Sequence, residues 1–234
     1  DPQVVDTYCR LSEALHAAGD FDGAIDVVKS GLDLDGASPD LHCRLGASLG
    51  GLGLLGPASE SLQVAIQLDE EHPEAHYHLG RVLRRLGRVE EANEHLRLVV
   101  DVDPTHTLAR VALAEGHYRL GDLEGAHAAY KQALQFDGRS APALHGLGAT
   151  LLMMDKAAAA ERVFELASSL YPSDASAFLG RGAAAERQQG GSVRAVQAYE
   201  AVLARDKDHF GAHLALAHVC ASRGEHQVSF SPLV

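Results

Sequence analysis

Residues 73–104 read PEAHYHLGRVLRRLGRVEEANEHLRLVVDVDP. The stretch holds two apolar-periodic segments separated by Leu86-Gly87, and its pattern returns along the chain in steps of 34 residues. Leu11, Leu45, Leu79, Leu113 and Leu147 stand 34 apart, each followed by a small residue: Ser12, Gly46, Gly80, Ala114 and Gly148. Ala24, Ala58, Ala92, Ala126 and Ala160 keep the same step, and Ala195 continues it at 35. One helical turn after each alanine come Val28, Leu62, Leu96, Tyr130, Phe164 and Tyr199. Gly19, Gly53, Gly87 and Gly121, with Asp155 and Gly190 continuing the row, mark a turn inside each period, where glycine tolerates the left-handed backbone that ends a helix. A sustained period in this range is the signature of stacked structural repeats, each too small to bury its own apolar face.

These residues resemble the tetratricopeptide repeat, whose pattern is W-x2-L-G-x2-Y…A-x3-F…P over 34 residues. The resemblance implies an all-α, right-handed α-solenoid, a superhelix of antiparallel helix pairs whose inner wall is lined by the first helices. Full copies are expected at 5–38, 39–72, 73–106, 107–140, 141–174 and 175–209, after a leader at 1–4. A capping helix follows at 210–223, making 5–223 a single domain of about thirteen helices, with a tail at 224–234. The chain departs from the pattern in places. The tryptophan row holds Tyr8, His42, His76, Arg110, Leu144, Phe178 and His213, and the closing proline occurs only as Pro104 and Pro172. The second copy carries five glycines and is expected to be the softest. In the tail, Val228, Phe230 and Pro232 read as an extended strip, either docked over Leu214, Ala217 and Cys220 or loose.

The 234 residues carry 32 acidic and 20 basic side chains, a net charge of −12, and 46% are apolar. This suits a folded chain and argues against nucleic acid as the partner. The longest uncharged apolar stretch is broken by glycines and Pro57, so no membrane insertion is expected. Cys9, Cys43 and Cys220 are too scattered for a disulfide framework and predict an intracellular, cytoplasmic setting. Asp1 in place of Met implies that the native N-terminus is absent.

No nucleophile elbow, phosphate loop or dinucleotide fingerprint occurs, so no enzyme activity, no catalytic residue and no cofactor are expected. His72-x3-His76-x-His78 and His209-x3-His213-x4-His218 have chelating spacing, but lack a carboxylate or cysteine at helpful spacing in sequence. Packing or exposure is the reading of these histidines, and no metal is expected. Cys9 and Cys43 are placed as free thiols on the inner wall.

Counted from the leucine row, Tyr77, Arg81, Arg84 and Arg85 of the third copy are expected to face the groove. Val111, Glu115, Tyr118 and Arg119 of the fourth copy join them, with Leu152 and Met153 of the fifth. Arg81, Arg84, Arg85 and Arg88 are either a locus for carboxylates or a solvated face balanced by Glu90, Glu91 and Glu94. The chaperone-tail clamp of some family members needs lysine and asparagine, whereas the corresponding positions here are Cys9, Glu13, Arg44, Glu74 and His78. The asparagine ladder of the family's glycosyltransferase arm is also missing. The resulting expectation is a non-catalytic scaffold that binds a protein or peptide segment in its groove, one with acidic residues and an apolar anchor near Tyr118, Leu152 and Met153. The alternatives are a substrate-presenting arm of a larger enzyme or complex and a pentatricopeptide-like RNA binder. Self-association through the terminal repeats is a further expectation.

Overall fold

The computed structural model describes residues 2–222, and among them every regular element is an α-helix. The helices are α1 (Pro2–Ala17), α2 (Phe21–Leu32), α3 (Pro39–Gly51), α4 (Leu55–Leu68), α5 (Pro73–Arg85), α6 (Val89–Val102) and α7 (Thr107–Arg119). They continue as α8 (Leu123–Phe136), α9 (Ala141–Met153), α10 (Ala157–Leu170), α11 (Ala175–Glu186), α12 (Ser192–Leu203) and α13 (Phe210–Ser222). Contacts divide the chain into two compact units, Asp1–Gly121 and Asp122–Val234, where the sequence leads one to expect a single domain. The fourth repeat therefore gives α7 to the first unit and α8 to the second. Each unit has the α-solenoid architecture, consecutive helices packing on one another. Helix α1 starts at Pro2, so residues 2–4 of the expected leader are already helical. Val228, Phe230 and Pro232 of the tail lie outside the described residues.

The first helices α3, α5, α7, α9, α11 and α13 each open one residue after a capping row. Ser38 Oγ accepts from the Leu41 N–H at 3.4 Å, and Pro39 and Pro73 occupy the first helical position, where no backbone donor is lost. His72, His106 and His209 cap through Nδ1, accepting from the N–H of Ala75 at 3.2 Å, Ala109 at 3.1 Å and Ala212 at 3.2 Å. The turn row ends the same helices. Gly87 takes a φ of +82°, and the Arg88 N–H reaches the Leu83 carbonyl at 2.9 Å, the six-to-one bond of a Schellman turn.

Packing explains the small rows. A Cβ on Gly46, Gly80 or Gly148 would fall 2.4, 2.7 or 2.5 Å from Leu62, Leu96 or Phe164, the large residues of the second helix in the same pair. The alanine row, Ala24 to Ala195, is fully buried. Leu11 stays 49% exposed, because among the described residues α1 has helices on one side only.

The tryptophan row has a different use here. His42, His76 and His213 donate through Nε2 to the carbonyls of Gly36 at 3.0 Å, Glu70 at 2.9 Å and Lys207 at 2.7 Å. Arg110 Nε does the same to Pro104 at 2.8 Å. Each therefore ties the loop that closes the preceding repeat. Where the row is apolar, at Leu144 and Phe178, loop carbonyls are met from elsewhere: Tyr171 donates its hydroxyl to the Arg139 carbonyl, and Arg205 Nε donates to that of Pro172 at 2.6 Å.

Candidate functional groove

In the first unit the first helices α1, α3 and α5 present one face together, and two hollows open along it. The larger, about 320 Å³, is bounded by Glu13, His16, Arg44, Glu74, Tyr77 and His78 with His106 and Leu108 at the start of α7. The smaller, about 270 Å³, has Phe21, Gly50 and Val82 as its floor and Arg81, Arg84 and Arg85 on its rim. Both share His16, Ala47 and His78, so they abut. A third hollow of about 520 Å³, at α1 and α3, is rimmed by Asp6, Glu13, Asp35 and Asp40 against Arg10 and Arg44. The wall is therefore acidic toward α1 and basic toward the C-terminal end of α5.

The arginines differ in what they touch. Arg81 is exposed, and its guanidinium carbon sits 5.5 Å from the centre of the Tyr77 ring, a cation–π stack that leaves its donors facing solvent. Arg84 is half-buried and ion-paired with Glu115, joining α5 to α7. Arg85 Nη1 donates to the Gly50 carbonyl at 2.5 Å and Arg119 Nη1 to the Arg84 carbonyl at 3.2 Å. Arg187, in the same repeat row, reaches the Leu152 carbonyl at 2.5 Å. These three bind the exposed carbonyls at the end of the preceding first helix, where a cation also complements the helix dipole.

Val111 is only 5% exposed and lies in the packed interior rather than on the wall. It shares a row with Cys43, 1% exposed: short side chains in this row sink between neighbouring helices, whereas Tyr77 is long enough to reach the groove. Tyr118 is half-buried on the last turn of α7. Leu152 and Met153 end α9 in the second unit, the first half-buried and the second 59% exposed.

Arg44 sits at the centre of the wall, its Nη2 3.4 Å from Glu13 and 3.3 Å from Glu74. Around it, burial dominates the titration of the neighbours. His78 is pushed down to about 3, first by burial and then by Arg81 and Arg44, and His16 is lowered for the same reasons. Burial pushes the Cys43 thiol up to about 12, Glu74 adding to it, and raises Cys9 as well. At neutral pH the imidazoles are uncharged and the thiols protonated, so neither cysteine is an activated nucleophile. Cys43, Glu74 and His78 each place a ligand-type atom within 4.8 Å of the others. His72 and His76, by contrast, are held by the helix cap and the loop tie.

Tetratricopeptide-repeat models match residues 73–106, 107–132 and 185–231. The chain is a tetratricopeptide-repeat protein. No curated protein matches it by sequence. Among solved structures, PilW, a widely conserved type IV pilus biogenesis factor, is 19% identical, with 92% of this chain and 99% of that one covered at a TM-score of 0.83. PilF of Pseudomonas aeruginosa is 16% identical, covering 93% and 98% at 0.81. YrrB, a TPR protein with an unusual peptide-binding site, is 16% identical, covering 80% and 96% at 0.67. At these identities the likeness is one of fold. The sequence reading of this TPR protein's groove missed His16, Phe21 and Ala47. His16 and Ala47 lie on the first helices one turn from positions it had singled out, but Phe21 opens a second helix, which a count from the leucine row never reaches.

Proposed function

We propose that the concave wall of the Asp1–Gly121 unit binds an extended protein segment carrying acidic residues beside one large apolar side chain, and that the protein acts as a non-catalytic scaffold. The observation that carries this reading is the pair of abutting hollows, the smaller of which is lined by Phe21, Ala47 and Val82 together with Arg81, Arg84 and Arg85. An anchor of leucine or phenylalanine size suits the 270 Å³ hollow over Phe21, Ala47 and Val82. Carboxylates beside it meet Arg81 first, since its guanidinium is held by a ring alone, and Arg84 and Arg85 add positive field while keeping their structural ties. The anchor is thus placed within the first unit, rather than at Leu152 and Met153 of the second. The acidic rim at α1 gives the bound segment a direction, its carboxylates toward α5. The protonated thiols and neutral imidazoles favour binding over catalysis. Membrane attachment through a spanning helix has no support, because no helix among the described residues is long and apolar enough.

Fluorescence anisotropy with short labelled peptides tests the proposal. A Glu/Asp-rich peptide with one Leu or Phe should bind, and replacing the anchor by Ala or the acids by Lys should abolish binding. Arg81→Glu should weaken it at least ~10-fold with helicity unchanged. Equal binding of the lysine peptide, or an unaltered affinity in Arg81→Glu, refutes the groove assignment.

A further inference from the structure

We propose that Cys43, Glu74 and His78 form a binding site for a borderline transition-metal ion, zinc foremost, on the groove wall. Glu74 and His78 are four residues apart on α5 and so share one face, and Cys43 faces them from α3. In sequence the cysteine stands 31 and 35 residues before its two partners, which hides the trio from any search for short ligand spacing. Only after the repeat period is removed do the three become neighbours.

The donors lie within 4.8 Å of one another. Tetrahedral bonds of about 2.0–2.3 Å hold such donors roughly 3.3–3.8 Å apart, so the trio closes by about 1 Å through side-chain rotation. One sulfur, one imidazole nitrogen and one carboxylate oxygen select zinc and its neighbours over calcium or magnesium, which favour oxygen alone. Among the described residues none hydrogen-bonds to either ring nitrogen of His78, so the ring has a nitrogen to offer a metal. Arg44 steadies the Glu74 carboxylate from 3.3 Å and is itself balanced by Glu13.

Binding forms the sulfur–metal bond and releases the Cys43 thiol proton to solvent, one proton per ion. The thiolate and the Glu74 carboxylate then neutralise the divalent charge. Three protein ligands leave a fourth coordination position, and Glu74 and His78 line the 320 Å³ hollow, so that position opens toward the groove and takes water. The site stands whether or not the groove binds a peptide.

Cobalt titration of the reduced, metal-stripped full chain tests this. One Co²⁺ per chain should bind with release of one proton and a sulfur-to-cobalt charge-transfer band, and Zn²⁺ should displace it with loss of the band and no further proton release. Because Cys43 is buried, Glu74→Gln at the exposed ligand is the deciding variant: folded by circular dichroism, it should bind at least ~10-fold more weakly. His78→Gln should do likewise, and Cys43→Ser should remove the band. Cys9→Ser and His213→Gln should change nothing. Absence of the band, its loss in Cys9→Ser, its survival in Cys43→Ser, or full affinity in folded Glu74→Gln overturns the proposal.

Discussion

His76 Nε2 donates to the Glu70 carbonyl at 2.9 Å, and its Nδ1 lies 2.8 Å from Nδ1 of His95. One imidazole thus fastens the loop between the second and third repeats while accepting the ring proton of a residue on α6. The first bond recurs at His42, Arg110 and His213, so it belongs to the repeat and not to one copy.

Replacing His76 by Phe keeps the bulk, as Phe178 does in the same row, but removes the loop tie and the His95 partner. A part-buried hydrogen bond contributes about 1 kcal/mol, so we expect a loss of about 1–2 kcal/mol, read as a fall of roughly 2–8 °C in melting temperature. An unchanged melting temperature would show that water replaces the tie without cost.

The histidine pair gives the first unit an acid-sensitive contact. His95 titrates below its usual 6.5, through burial first and the His76 ring second, with Glu94 and Glu91 opposing. A base whose pKa is depressed by folding binds more protons when unfolded, so its contribution is complete above about 6.5 and is lost as pH falls toward the depressed value. Melting temperature should therefore fall on acidification below pH 6.5, and His95→Gln should flatten that slope. A steeper slope in the variant would contradict this account.

Gly80→Ala places a Cβ 2.7 Å from Leu96 and 3.2 Å from the Ala92 carbonyl, forcing α5 and α6 apart. Overpacking of this kind costs about 1–3 kcal/mol, against the stabilisation that alanine gives an open helix site. Chemical denaturation of the two proteins decides the sign.

Asp155 is the one described non-glycine residue with a left-handed backbone, φ +58°, in the row otherwise held by glycine. Asp155→Gly should raise stability by roughly 0.5–1 kcal/mol, because the side chain there resists the conformation the turn requires. A fall would indicate that the aspartate makes up for its strain elsewhere.

The repeat boundaries were legible because one period repeats. Leu79, Gly80 and Ala92 each mean little alone, yet their recurrence locates thirteen helices among the described residues. The division at Gly121 was not legible, since the 34-residue pattern runs through it without a break. Within the site, counting along the helix found Tyr77 and Arg81 but could not foresee that Arg84 would pair with Glu115, or that Arg85 and Arg119 would reach back to backbone carbonyls. Side-chain reach, not register, separates those arginines. The same limit hid Cys43 beside His78, because their nearness depends on two neighbouring repeats.

The central claim is that the inner wall of the first unit, and not its outer surface, receives the partner. Titrating the isotope-labelled protein with the acidic, single-anchor peptide and following its NMR resonances tests this most directly. The account predicts perturbations at His16, Ala47, His78 and Arg81. Shifts confined to Leu98, Val99 and Val102, which line a separate hollow of about 230 Å³ with Pro73 and His76, would contradict it.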